Sequence, residues 1–411
     1  MESAAKTPKS LTLPWTTRIT LWLLDIGLNL IMRKDGTVNR GLLKLVPLTP
    51  PSSEPINGVK TYDVVVDPTR KLWFRVFVPT QYTVEDLPVM VFCHGSGYIV
   101  ASADTQLYDD FCRKFARELH VIVVSVDYRL APEHRHPAQH EDGLDVLKFL
   151  DVEENRSKWL PGNANISKCF IAGDSAGGNM AHHVAVRASQ FNFQQLQVVG
   201  LVSIQPFFGG EERIGSEIRL NGTAPVLTLK QTDWFWNAFL PLGEPYNRDH
   251  PVVNVSGRYA VDISKMDLPP TIVVVAGFDI LRDWQIRYYE WLKKSGKEVY
   301  LVDYPNMFHG FNLLPELPES DQLILEVKDF IHNVLNKKDH HHRHCTYTFT
   351  TTNPPPLHLH YHHHNTYHRC TSTVTTIKTA PSLLPSSLTP PMSPENFSPI
   401  ESPNIHENPN P

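Results

Sequence analysis

Between Pro88 and Leu335 the chain repeats one texture, a short and continuously apolar run followed by a segment of helix length. The runs are Val89–Phe92, Val121–Val126, Cys169–Ala172, Val198–Ile204, Ile272–Ala276 and Val299–Tyr304. A run without polar alternation has no wet face, so each predicts a strand buried on both sides. Helical segments at Thr105–Leu119, Ala138–Leu150, Asn179–Ala188, Arg282–Ser295 and Gln322–Leu335 separate the runs. Strand and helix in alternation predict an α/β fold with a mostly parallel central sheet flanked by helices. Upstream, Tyr62–Val66 and Leu72–Val78 read as an antiparallel pair, the second setting Trp73, Arg75 and Phe77 against Phe74, Val76 and Val78.

Three regions depart from this rhythm. Leu11 to Met32 is rich in Leu, Ile and Trp, but Arg18 and Asp25 interrupt it, so its apolar run is shorter than the roughly 20 residues of a membrane span. It has neither the clean apolar stretch nor the small-residue cleavage site of a signal peptide. Ile19, Trp22, Leu23 and Ile26 recur at helical spacing and predict a helix packed on the body of the protein. From Phe207 to Pro269 a Gly209-Gly210 pair, a charged patch and the cluster Trp234-Phe235-Trp236 mark an inserted cap whose aromatics pack against the core. Beyond Leu335 come histidine runs at 340–342 and 362–364 and then Ser/Thr/Pro-rich sequence, with too few apolar anchors to offset the entropy of ordering. The expected organisation is an N-terminal helical cap segment (1–47), an α/β domain (48–337) with a cap insertion around 207–269, and a disordered tail (338–411).

Charge narrows the function. A net charge of −5 on 411 residues leaves no electrostatic footprint for nucleic acid. The cysteines at 93, 112, 169, 345 and 370 show no paired spacing, and Cys93 and Cys169 fall inside apolar runs. Buried, reduced thiols in a reducing compartment, cytoplasmic or nuclear, are expected. The loose histidine runs of the tail lack the ligand geometry of a metal site, and neither metal nor cofactor is expected.

The chemistry centres on Gly173-Asp174-Ser175-Ala176-Gly177, which directly follows the run Cys169–Ala172 and opens a helical segment. A Gly-x-Ser-x-Gly turn between strand and helix lifts one serine hydroxyl above a sheet. Such a serine needs a histidine to take its proton and a carboxylate to hold the histidine, following in the order Ser, acid, His at successive strand ends. Asp279 lies just past Thr271–Gly277, and His309 just past Glu298–Tyr304. Asp283, four residues further on, is the rival acid; its position suits the first turn of the next helix instead. The remaining histidines before residue 338 read as loop or helix-surface residues. Acyl transfer also requires N–H donors for an oxyanion. Ala176 supplies one, and the loop His94-Gly95-Ser96-Gly97-Tyr98 after Val89–Cys93 offers Gly95, Ser96 or Gly97 for the other. Tyr98 is expected to shape the substrate pocket together with the cap and the N-terminal segment.

With these residues in view, the chain from about Gly36 to Leu335 resembles the plant carboxylesterase group of hormone-sensitive-lipase-like α/β-hydrolases. His94–Tyr98, Tyr128–His134, Gly173–Asn179, Gly277–Trp284 and Tyr304–Phe311 carry the resemblance. It implies an α/β-hydrolase fold, hydrolysis of a small-molecule carboxylic ester with Ser175, Asp279 and His309 as triad, and a structural role for Tyr128–His134 in bracing the sheet edge. Two positions depart from the family pattern: Ser96 stands where a second glycine is usual, and Ile280 where a proline follows the acid. A left-handed backbone at Ser96 would cost on the order of 1–2 kcal/mol. Two other functions fit parts of the pattern. Plant gibberellin receptors are similar, but the resemblance to them implies loss of the triad histidine, which His309 retains here. A lipase working at membrane surfaces through the N-terminal helix is the third reading.

Overall fold

The apolar runs all become strands of one sheet. In the computed structural model, residues 11, 13–81, 86–243 and 247–347 are described, with side chains as far as 337. The strands are β1 (Val59–Asp67), β2 (Leu72–Pro79), β3 (Leu87–Cys93), β4 (Ile122–Asp127), β5 (Ala164–Asp174), β6 (Val198–Ile204), β7 (Thr271–Phe278) and β8 (Val299–Phe308). They stand in the order β1-β2-β4-β3-β5-β6-β7-β8. β2 is antiparallel to both β1 and β4, and the pairs from β4 to β8 are parallel. This is the α/β-hydrolase architecture expected from the alternating texture.

Helices follow in chain order: α1 (Trp15–Ile31), α2 (Arg40–Leu43), α3 (Gln106–Leu119), α4 (Ala138–Asp151), α5 (Glu153–Trp159), α6 (Ala176–Ala188), α7 (Gly215–Leu220), α8 (Leu229–Phe239), α9 (Arg282–Lys294) and α10 (Pro318–Tyr347). Along β3, Val89, Val91 and Cys93 join the core layer that includes α4 and α6, while Met90 and Phe92 join the layer under α3 and α10. Cys169 and Ile171 of β5 likewise oppose Phe170 and Ala172. Both faces of these strands are covered because the βα crossovers lay helices on each side. Cys93, Cys112 and Cys169 are buried and unpaired.

Three expectations are corrected. β8 is an edge strand, with Tyr300 and Leu301 more than one-third exposed, so its apolar run reflects only one covered side. In α1 the packed residues are Thr17, Leu21 and Ile31, whereas Ile19, Trp22 and Leu23 are 47%, 62% and 56% exposed. That helix is apolar nearly all round, so its periodicity has no single face to point inward. The backbone of α10 continues to Tyr347, past the boundary drawn at 338; the rest of the expected tail lies outside the described residues. Among the described residues no helix is long and apolar enough to cross a membrane.

The N-terminal segment is tied to the cap and to the loops above the sheet. Gln231 Nε2 of α8 donates to Asp25 Oδ1 (2.8 Å), and Trp234 Nε1 donates to the Arg33 carbonyl (2.9 Å). Arg40 reaches the carbonyls of Ile99 and Ala131 and pairs with Glu133. The cap aromatics pack as expected: Trp236 stacks on Phe207 at 3.9 Å, and Phe235 and Trp236 are buried.

The junction between β5 and α6 lies hard against the end of β3. A Cβ at Gly177 would stand 1.9 Å from the Cys93 carbonyl oxygen, and one at Gly173 would stand 2.2 Å from the Gly177 oxygen. Both obstacles are backbone and have no rotamer to yield with. Gly177→Ala is therefore expected to destabilise the fold by about 3 kcal/mol or more. Gly162→Ala, where no atom lies within 4 Å of the added carbon, should leave stability within about 0.5 kcal/mol. Urea unfolding midpoints of the two variants check the contrast, and equal midpoints would contradict it.

Candidate active site

Ser175 completes the reversal from β5 into α6 at φ 52° and ψ −118°, a conformation that costs a non-glycine residue strain. Its N–H donates to the Ile204 carbonyl (2.9 Å) on β6, and its own carbonyl accepts from Phe207 N–H (2.8 Å). Held this way, its Oγ lies 2.9 Å from His309 Nε2. His309 Nδ1 lies 2.8 Å from Asp279 Oδ2. The structure thus brings together the serine, histidine and acid expected from three separate strand ends. Asp283 is elsewhere: its Oδ2 accepts the Ser216 N–H (2.7 Å), joining the first turn of α9 to α7.

Asp279 is fully buried and its carboxylate is surrounded by donors. Leu281 N–H reaches Oδ1 (2.9 Å), and the amides of Gln285 (2.8 Å) and Gln205 (3.3 Å) reach Oδ2 beside the His309 ring. An unpaired charge at that depth would be strongly unfavourable. Burial alone pulls the His309 imidazole down, but the Asp279 charge and hydrogen bond, with a further contribution from Asp174, outweigh it and hold it above its ordinary value. Asp174 is itself buried beside the serine, and desolvation pushes its carboxyl up to about 6 against the opposing Tyr108 hydrogen bond and His309 charge.

The four expected oxyanion donors divide. Gly95 N–H already donates to the Tyr108 hydroxyl (2.9 Å), which in turn donates to Asp174 Oδ2 (3.1 Å). Gly95 therefore anchors the loop instead of presenting a free N–H. The N–H groups of Ser96, Gly97 and Ala176 have no hydrogen-bond acceptor among the described residues. Ala176 opens α6, where the first-turn N–H groups have no intrahelical partner. Ser96 (φ 77°), Gly97 (φ 63°) and Tyr98 (φ 66°) form a left-handed run, so the strain conditional on the Ser96 substitution is present.

Tyr98 is not where a pocket wall stands. Its side chain is fully buried, its hydroxyl donates to Asn179 Oδ1 (2.7 Å), and its ring stacks on Phe239 at 4.1 Å. A wall that meets substrate is accessible when the pocket is empty, so Tyr98 supports the loop from beneath. The Tyr128–His134 segment braces this same loop and not the sheet edge, since β4 lies inside the sheet. Tyr128 donates to the His94 carbonyl (2.6 Å) and stacks on the His94 ring, and Ala131 N–H donates to the Tyr98 carbonyl (2.9 Å).

Several histidines expected on the surface are also inside. His94, His140 and His182 are buried, and His136 and His183 are half-buried. His136 Nδ1 meets His140 Nδ1 at 3.0 Å, and His140 Nε2 lies 3.4 Å from the Tyr98 hydroxyl. Among the described residues no group of three or more metal-ligating side chains is poised to hold an ion. Sequence reasoning missed Gln205, Gln285 and Tyr108, and gave no role of their own to Asp174 and Asn179, which stand inside the serine motif segment. Gln205 stands one residue past an apolar run, the same kind of strand-end position that singled out Asp279.

Comparison with known proteins is consistent with this architecture. A family model described as alpha/beta hydrolase fold matches residues 90–313. A gibberellin receptor of Arabidopsis thaliana is 38% identical over 334 residues, covering 78% of this chain and 94% of the receptor. Carboxylesterase 20 of the same plant is 35% identical over 323 residues, covering 75% of this chain and 96% of the esterase. Among solved structures, the esterase of Pyrobaculum calidifontis superposes with a TM-score of 0.61 at 29% identity, over 79% of this chain and 99% of that one.

Ser96→Gly removes a left-handed serine worth roughly 1–2 kcal/mol of strain, while the freer unfolded glycine offsets about 0.4–1 kcal/mol of the gain. A net stabilisation of about 0.5–1 kcal/mol in urea unfolding is expected. The buried histidines set a second expectation. Burial drives His94 down to about 4 and His182 to about 3, and burial with the neighbouring His183 and His136 holds His140 well below its ordinary value. Unfolded, all three protonate below about pH 6.5, so the stability they confer is complete above that pH and lost as pH falls. His309, raised, acts in the opposite sense: its contribution is present below about pH 6.5 and lost as pH rises through its folded value. His136, driven to about 3, and His183 act with the three, while Asp174 and Asp127, both pushed up to about 6 by burial, act with His309; five groups against three leave the urea midpoint expected to fall from about pH 6.5 to about pH 4. A level or rising midpoint would contradict this.

Proposed function

Since the chain belongs to the α/β-hydrolase family, we propose that it is a carboxylesterase that hydrolyses small carboxylic esters through Ser175, His309 and Asp279. The observation that carries the reading is the double engagement of His309, with Nε2 on the Ser175 hydroxyl and Nδ1 on the buried Asp279 carboxylate. In this mechanism Ser175 Oγ attacks the ester carbonyl as His309 Nε2 takes its proton. The resulting oxyanion is held by N–H groups of Ser96, Gly97 and Ala176. Collapse of the tetrahedral intermediate expels the alcohol, which receives the proton from His309 and leaves an acyl group on Ser175. Water, deprotonated by the same histidine, then attacks the acyl carbonyl and releases the acid and the free serine. Asp279 keeps His309 in the tautomer that accepts at Nε2 and stabilises its charged form.

Side chains and backbone N–H groups suffice for each step, with no cofactor. The unpaired thiols of Cys93, Cys112 and Cys169 are in keeping with work in a reducing compartment, cytoplasm or nucleus.

A second reading has its own support: a relative 38% identical is a gibberellin receptor. On that reading the residues around Ser175 retain a gibberellin without turnover. An intact Ser175–His309–Asp279 arrangement favours the esterase.

The two separate in one set of measurements on the purified full-length chain. Hydrolysis of a short-chain nitrophenyl ester is expected, with kcat/KM falling by about 10³-fold or more in Ser175→Ala. Equal rates for the two proteins would remove the esterase reading. Calorimetric binding of a gibberellin by a chain that hydrolyses no ester would establish the receptor-like one.

A further inference from the structure

Gln205 follows β6 directly and is 1% exposed, in a left-handed conformation at φ 44°. Its backbone N–H donates to the Val274 carbonyl (2.9 Å) of β7, fixing the residue between the ends of two strands. From there the side-chain amide reaches across to the end of β8. Its Nε2 donates to the Phe308 carbonyl (3.0 Å), and its Oε1 accepts the Gly310 N–H (2.9 Å). These are the two peptide groups that flank His309, so one side chain pairs with the histidine's backbone as an adjoining strand would. The second Nε2 hydrogen points to Asp279 Oδ2 (3.3 Å), the oxygen that bonds His309 Nδ1. Partners of fixed polarity on each side leave the amide a single orientation.

We propose that Gln205 is the positioning residue that sets His309 against Asp279 and Ser175, and this rests on the esterase reading. Gln285 does not duplicate it. That amide donates to Asp279 (2.8 Å) from α9 and makes no bond to the residues around His309. It satisfies the acid, whereas Gln205 ties acid and base together. The left-handed backbone agrees with this role, because a non-glycine residue holds such a conformation only where surrounding bonds over-determine it.

The charged and titratable groups around the pair are few. His309 is faced by Asp279 from the end of β7 and by Asp174 from the end of β5, with the Ser175 hydroxyl on its other nitrogen. Arg282 on α9 feels the Asp279 charge from the side where it pairs with Asp303. Gln205 stands among these groups as an uncharged bridge.

The test uses the full-length chain with Gln205→Met, which keeps length and loses the amide, and Gln205→Glu, which keeps an acceptor for Gly310 and adds a carboxylate beside Asp279. Gln205→Met should lower kcat on a nitrophenyl ester by roughly 10²-fold, the effect of a small misplacement, with KM changed less than about threefold. Labelling of Ser175 by a fluorophosphonate should slow in parallel. The downfield proton resonance of the His309 Nδ1–H bonded to Asp279, identified by its absence in Asp279→Asn, should broaden or vanish. Gln205→Glu should move the acid limb of the pH–rate profile upward by about one unit, since an added negative charge favours the imidazolium. If Gln205→Met does not fold, the Gln205→Glu limb decides: an upward shift supports the positioning role and an unmoved limb overturns it. A folded Gln205→Met with kcat, labelling and resonance all as in the wild type overturns it as well. The resonance needs no turnover, so a wild type that hydrolyses nothing while Gln205→Met loses the signal would sink the esterase reading and leave the positioning role standing.

Discussion

A chain that leaves a buried strand and enters a helix within one residue has very little room, and the upper edge of this sheet is arranged around that restriction. Ser175 takes the strained conformation, and glycines at 173 and 177 let the junction press against the end of β3, where no side chain fits. The same closeness brings the loop after β3 beside the loop after β5. Gly95, Tyr108 and Asp174 are joined there by two hydrogen bonds, so the loop that bears Ser96 and Gly97 is anchored to the residue next to the serine. Sterics at the turn and geometry at the candidate oxyanion site are therefore one problem.

The second constraint is a charge in an apolar place. Asp279 has no exposure to water, and its stability as a carboxylate depends on donors from several elements. Three of the donors also position something. His309 is turned so that its other nitrogen faces Ser175, Gln205 holds the main chain around His309, and Leu281 N–H closes the turn into α9. Satisfaction of the Asp279 carboxylate and alignment of His309 are thus obtained from the same hydrogen bonds.

Above the sheet, the cap and N-terminal segment lean on the loop from the other side. A Cβ at Gly97 would stand 2.8 Å from the Phe235 ring of α8, and Phe239 of the same helix stacks on Tyr98. Tyr98, Asn179, His140 and His136 continue this contact downward into α4 and α6. Arg40 adds a clamp from the N-terminal segment on the carbonyls of Ile99 and Ala131. Any movement of the cap is mechanically linked to the left-handed run at 96–98 through these contacts.

Local pattern was sufficient for the strands and for the order of Ser175, Asp279 and His309, because continuous apolar runs and the residues just past them are properties of neighbours in sequence. It failed for α1, whose apolar residues surround the helix, and for β8, whose edge position depends on which strand happens to be last. The partners of the site were equally hidden. Gln205 donates across 74 residues to Asp279, Tyr98 bonds Asn179 across 81, and His140 lies buried where a helical segment gave no sign of a covering cap. Composition and spacing alone determined that this chain forms a parallel α/β sheet with a serine raised at a strand end. Only the tertiary structure decided that Gly95 is an anchor, that Tyr98 supports instead of lining, and that a glutamine joins acid to base, because hydrogen-bond partners are chosen by proximity in space.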